Sequence, residues 1–142
     1  MQHVEPADWH ATVESLIAQG FDRFVTLTGV DTDGVQVWLR LRDAAGTDAV
    51  LATTAERVDT IIDVLPDAAW AERETAEMFG VVFIGHDTAP LLLTTDAPPA
   101  PLRKSMLLDA RNTVPWPGGK EPGESGDRPP SRRRLLPPGV RP

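Results

Sequence analysis

The chain has 142 residues and no cysteine. Disulfides, thiol nucleophiles and the usual ligands of an iron–sulfur site are therefore excluded. Histidine is nearly as scarce: His3, His10 and His86 are the only imidazoles, so a histidine-based metal site must draw on distant parts of the chain. No apolar run approaches the ~20 residues of a membrane span, and the N-terminus lacks a basic start followed by an apolar core; the expectation is neither export nor embedding in a membrane. Neither GxGxxG nor GxxxxGK occurs, which leaves nucleotide binding without support. No Ser-His-Asp spacing recommends itself. Any redox reaction this protein serves carries its electrons through other groups.

What is present fits a soluble globular domain: 41% hydrophobic and 25% charged residues, in a length typical of one core. The charge is unevenly spread. Residues 1–110 hold seven Arg and Lys against 18 Asp and Glu, a net of −11, and residues 111–142 hold seven against three, a net of +4. An acidic body repels phosphates, so no nucleic-acid partner is expected unless the tail alone supplies one.

In Pro6–Gln19, Trp9, Val13, Leu16 and Ile17 recur at intervals of three and four, which predicts a helix covering one face of a sheet, started by Pro6 and stopped at Gly20. From Phe21 the period changes to two. Phe21–Val30, Val35–Arg42 and Asp48–Thr54 read as strands separated by Asp31–Gly34 and Ala44–Thr47, an antiparallel meander. Ala55–Val64 reads as a short helix capped by Thr54, with Val58, Ile61, Ile62 and Leu65 on one side. Pro66 and Asp67 restart the chain, with Asp67 as N-cap of a helix that Gly80 ends, and an apolar strand follows to Gly85-His86. Pro98, Pro99 and Pro101 forbid a regular central strand beyond it. The expected fold is α+β in two layers: an N-terminal helix, an antiparallel or mixed sheet of about four strands, one or two helices on one face, and an extended C-terminal arm. The expected domains are an α+β body over residues 1–110 and a Pro/Gly/Arg-rich tail over 111–142. That tail has eight prolines and five glycines in 32 residues and is disordered alone or ordered on partner subunits.

The densest stretch is Asp67–His86. Glu74 and Glu77, three apart on a helix, with His86 folding back, suggest a carboxylate–histidine metal or acid/base site; the plainer reading pairs Glu72, Arg73, Glu74 and Glu77 with one another and with groups outside the domain. Trp70 and Phe79 lie about 180° apart on the helix, so both cannot enter one core. One of them, or the charged face, meets a second surface, unless the C-terminal segment sandwiches the helix. Gly80 reads as a helix stop, Gly85 as a place of close approach and His86 as a hydrogen-bonding turn residue. Arg103 and Lys104 form a basic pair for an anion or for a salt bridge to the acidic helix.

These residues also form a recognisable pattern. Glu72-Arg73-Glu74, two residues, Glu77, Met78-Phe79, six residues, His86, three residues, Pro90, one residue and Leu92-Leu93 resembles the signature of the thirty-kilodalton (C-type) subunit family of respiratory complex I, the bacterial NADH-quinone oxidoreductase. Trp70 before it, Phe79-Gly80 within it and Pro101-Leu102-Arg103-Lys104 after it extend the likeness, which covers most of residues 7–110. The resemblance implies a non-catalytic subunit of a proton-translocating NADH:quinone oxidoreductase, peripheral on the cytoplasmic side of the cell membrane. Its implied partners are the D-type subunit of the quinone site and the B-type and I-type iron–sulfur subunits. FMN, iron–sulfur clusters and quinone would belong to the complex, with no cofactor or metal bound by this chain. Many members follow the histidine with proline and two arginines, where this chain has Asp87-Thr88-Ala89-Pro90-Leu91. That departure, with a start almost at the first helix, leaves room for the related subunit of membrane-bound nickel–iron hydrogenases. A reading of another class is a metal-dependent hydrolase using Glu74, Glu77 and His86.

Overall fold

The computed structural model describes residues 1–95 and 97–106; the expectations for the tail at 111–142 lie outside the described residues. In chain order the elements are β1 (Gln2–His3), a 3-10 turn (Pro6–Asp8), α1 (Trp9–Ala18), β2 (Arg23–Asp31), β3 (Val35–Arg42), β4 (Asp48–Thr54), β5 (Arg57–Asp59), a 3-10 turn (Pro66–Ala68), α2 (Ala69–Phe79) and β6 (Val82–Ile84). The α+β class is as expected, with a four-stranded mixed sheet in the order β1-β4-β3-β2 and a separate two-stranded sheet of β5 and β6.

Strand β3 shows why. Its alternation puts Val35, Val37, Leu39 and Leu41 inward, all at most 5% exposed, and Gln36, Trp38, Arg40 and Arg42 outward. The antiparallel meander sets Leu39 opposite Leu27 on β2 and Leu51 on β4. A bulge between Phe24 and Thr26 interrupts the edge strand β2, and β1 adds a parallel edge to β4. Trp9 and Val13 of α1 are fully buried against this inner face. Burial of each such side chain is worth ~1.5–3 kcal/mol.

Helix α1 stops where Gly20 predicts: Phe21 N–H reaches back to Leu16 C=O at 3.0 Å and Gly20 N–H to Ile17 C=O at 2.9 Å. Both helices open through a proline-led 3-10 turn. The expected N-cap role of Asp67 is therefore corrected. Pro66 presets the backbone one residue earlier, α2 is capped at Ala68, and no side chain bonds that cap.

The expected helix over Ala55–Val64 is a strand followed by one turn. Val58 is buried between exposed Arg57 and Asp59, and β5 pairs in parallel with β6 in the register Val58–Phe83. A helix would need the Ile61 N–H for its own ladder, but that donor goes to the Glu72 carboxylate. Thr60 N–H goes to Ile84 C=O at 3.0 Å, which closes the short ladder.

Candidate functional site

Helix α2 carries the crowded charges, and the structure separates them. Glu72 is 0% exposed. Its Oε1 accepts from Ile61 N–H at 2.9 Å, and its Oε2 accepts from Thr60 Oγ1 at 2.6 Å and lies 2.8 Å from His86 Nδ1. With a carboxylate as acceptor, Nδ1 carries the proton. His86 reaches this spot because Gly85, at φ +93°, turns the chain just after β6, and a Cβ there would lie 3.2 Å from Thr60 Cγ2. Three donors on one buried carboxylate join α2, the end of β5 and the end of β6.

Arg73, next to Glu72 in the chain, and Glu77, one turn further on, act together on the loop after β6. Arg73 donates to the carbonyls of Ala89 (3.0 and 3.2 Å) and Pro90 (3.3 Å). Glu77 accepts from three consecutive backbone N–H groups: Leu91 (3.2 Å), Leu92 (2.8 Å) and Leu93 (2.7 Å). Burial pushes the Glu77 carboxyl up, but the N–H bonds from Leu93, Leu92 and Leu91, with the Arg73 charge, outweigh it and hold the group below the ordinary glutamate range.

At the C-terminal end, Gly80 takes the left-handed conformation at φ 70° and its N–H closes on Ala76 C=O. The open carbonyls are met from the following segment: Leu102 N–H donates to Met78 C=O at 3.1 Å and Arg103 Nε to Phe79 C=O at 2.6 Å. A Cβ on Gly80 would lie 3.5 Å from the Arg103 guanidinium. The Phe79 ring lies on Gly29 of β2, where a Cβ would sit 2.6 Å from the ring Cγ. Of the expected basic pair, Arg103 caps the helix and lies 3.8 Å from Glu56, while Lys104 is fixed by its backbone N–H on Asp31 at 2.7 Å. Neither pairs with the acids of α2.

What remains toward solvent is Glu74 and Trp70, one turn apart on α2, with Trp70 59% exposed. Leu92 and Leu102 are likewise exposed, at 54% and 57%. Trp70 is thus the aromatic that turns away from the core, and Phe79 the one that packs on it. A mostly apolar hollow of about 490 Å3 opens beside α2, with Gly80, Val82, Pro90, Leu93 and Pro99 among its walls. Glu77 is its only titratable wall residue among the described residues, and its oxygens are already engaged.

These distances decide what the site can do. His86 faces Glu72, and Glu77 faces the 91–93 backbone, so the three side chains needed by a Glu74–Glu77–His86 metal site are not brought together. No group of three or more metal-ligating residues occurs among the described residues. The constellation holds structure together. Sequence reasoning missed Thr60 and the backbone partners at 61 and 89–93, since a main-chain donor or acceptor leaves no mark on composition.

Known proteins are similar over the same segment. The family described as respiratory-chain NADH dehydrogenase, 30 Kd subunit, matches residues 2–112. The C-type subunit of NADH-quinone oxidoreductase from Ruegeria sp. (strain TM1040) is 36% identical over 102 residues, covering 64% of this chain and 51% of that protein. The fused C/D-type subunit of NADH-quinone oxidoreductase from Acidiphilium cryptum (strain JF-5) is 41% identical over 70 residues, covering 46% of this chain and 11% of that protein. The chain thus spans 51% or less of the length of these relatives. Among solved structures, a trypsin-resistant fragment of Nqo5 is similar at a TM-score of 0.56 with 21% identity, over 60% of this chain and 78% of that one. A chain of the membrane-bound sulfane sulfur reductase, an archaeal respiratory membrane complex, is similar at 0.66 with 23% identity, over 75% and 71%. At these identities the structural likeness is one of fold.

Proposed function

Since the chain belongs to the family of the respiratory-chain NADH dehydrogenase 30 Kd subunit, we propose that it is a non-catalytic subunit of a proton-translocating NADH:quinone oxidoreductase. It braces the subunits that carry the quinone site and the iron–sulfur clusters. The observation that carries this reading is the division of labour on α2. The signature charges Glu72, Arg73 and Glu77 are spent on holding β5, β6 and the 89–93 segment, while Trp70 and Glu74 face outward, and Leu92 and Leu102 are exposed as well. A rigid body with an exposed aromatic is built for docking.

The partners in this reading are the D-type subunit of the quinone site and the B-type and I-type iron–sulfur subunits. The fused C/D name of the Acidiphilium relative supports the first of these. The chain binds no cofactor itself in this reading. FMN, iron–sulfur clusters and quinone reside in the partners. In this reading the chain attaches to the cytoplasmic face of the membrane through its neighbours; no helix among the described residues is long and apolar enough to cross a membrane.

The test is recovery from detergent-solubilised membranes of the source cell through a tag on the full chain. Co-migration on native gels with NADH:quinone reductase activity, weakened by Trp70→Ala combined with Glu74→Lys, is the expected result. A nickel-binding large subunit in place of an NADH-binding flavoprotein would assign the chain to a hydrogenase-type complex. A chain recovered alone from membranes would refute the subunit reading.

A further inference from the structure

Helices α1 and α2 pack on the inner face of the sheet, and no helix among the described residues covers the outer face. The register places Arg23 opposite Arg42, Thr26 opposite Arg40, and Thr28 opposite Trp38 on that outer face. Asp48, Val50 and Ala52 of β4 join it opposite Arg42, Arg40 and Trp38. Three of the seven Arg and Lys of residues 1–110 thus collect on one surface of a body whose net charge is −11. Asp48 is the only acid that the paired strands place among them.

Asp48 bonds both Arg40 and Arg42, the latter at 2.8 Å. Hydrogen bonds from Arg42 and then Arg40 hold its carboxyl well below the usual range. One carboxylate for two guanidiniums leaves a positive charge over, and exposed Arg23 has no ion-pair partner among the described residues. Like charges directly opposite on neighbouring strands are unfavourable unless an anion comes between them. Beside them is a hollow of about 340 Å3 walled by Thr26, Thr28, Trp38, Arg40, Asp48 and Val50. The Trp38 indole N–H is already satisfied by Gln36 Oε1 at 3.0 Å, so the ring offers its apolar surface.

We infer that this sheet face, free of helix among the described residues, is a second docking surface, and that its occupant is a partner-subunit segment in which carboxylates flank one large apolar side chain. The apolar group enters the hollow against Trp38 and Val50. The carboxylates engage Arg23 and the spare donors of Arg40 and Arg42 in the paired geometry that guanidinium favours. A second copy joined through a two-fold axis is disfavoured, because the axis would set this cationic face against itself. The inference rests on the subunit reading above and adds to it: a bracing subunit needs two contact faces, and the sheet supplies one remote from Trp70 and Glu74.

The experiment uses the full chain in the solubilised membrane complex. R23K keeps the charge and installs an amine, so a water-soluble carbodiimide joins position 23 to a carboxylate it touches. The expected product is a cross-link from position 23 to an Asp or Glu of a different chain. R23E should lower recovery of the chain with the complex at least tenfold while leaving its far-UV circular dichroism unchanged, because the new glutamate lies opposite Arg42 and forms a cross-strand ion pair. Cross-links from position 23 that lead only to this chain or to a second copy would overturn the inference. So would recovery of R23E at the wild-type level, with the subunit reading left standing. Wild-type chain that recovers with no membrane oxidoreductase overturns both.

Discussion

Glu72→Ala should damage the fold more than the loss of any other charged side chain of α2. The carboxylate is fully buried and accepts three bonds. Hydrogen bonds to a charged group are worth ~1.5–3 kcal/mol each, and a buried N–H left without an acceptor costs ~1–3 kcal/mol. Because the three bonds share one group they do not add in full; one bond to a charged acceptor together with the stranded Ile61 N–H, ~3–5 kcal/mol, is the better guide. Against a total stability of ~5–15 kcal/mol, that leaves a marginal domain. Glu72→Gln keeps the shape and an oxygen for Ile61 N–H. Thr60 can turn its hydroxyl to accept, and His86 can present its other tautomer, so the cost should be about 1–2 kcal/mol. Urea unfolding of the full chain at pH 7, followed by far-UV circular dichroism and extrapolated linearly, measures both. In a thermal scan Glu72→Ala should fall by at least ~12 °C, at ~4 °C or more per kcal/mol. A Glu72→Ala variant within about 1 kcal/mol of wild type, or a Glu72→Gln variant as damaged as Glu72→Ala, would refute the reasoning from three shared bonds.

Gly29→Ala should destabilise by ~1–3 kcal/mol through overpacking against Phe79, and Phe79→Leu should recover part of the loss in a thermal-unfolding double-mutant cycle. Gly80→Ala, at φ 70° and against Ala100 and Arg103, should cost ~1 kcal/mol in the same assay. Glu77→Gln should speed amide exchange at Leu91, Leu92 and Leu93 and expose the loop to limited proteolysis, with the core amides of β3 unchanged. Because the Glu77 carboxyl lies below its ordinary value of 4.5 in the fold, its contribution is complete above that pH and is lost as the pH falls through the depressed folded value. Exchange at 91–93, corrected for intrinsic rates, should therefore loosen on acidification below pH 4.5 in wild type and show no such step in Glu77→Gln.

The meander was legible because its signals are local: β3 alternates strictly, turn residues stand between the strands, and Gly20 and Gly80 stop the helices where they should. Val58, Ile61, Ile62 and Leu65 mimic a helical stripe, because the partner that decides for a strand at Val58, Phe83, lies 25 positions later in a parallel register. Asp67 is a good cap by residue type, but Pro66 starts the turn before it. The charges of α2 were legible as a group and not as individuals. Nothing local distinguishes Glu72, sealed inside by Thr60, Ile61 and His86, from Glu74, which faces water. Burial of a charge depends on donors that the rest of the fold delivers.

The grip of Arg73 and Glu77 on residues 89–93 touches only carbonyls and N–H groups. Main-chain atoms are the same whatever side chain they carry. The segment can therefore be rewritten at Leu91, Leu92 or Leu93 without loosening the hold, so long as proline does not remove a needed donor. Positioning and recognition are uncoupled along one short stretch, which lets the outward groups there be fitted to a neighbour while the fold beneath them stays as it is.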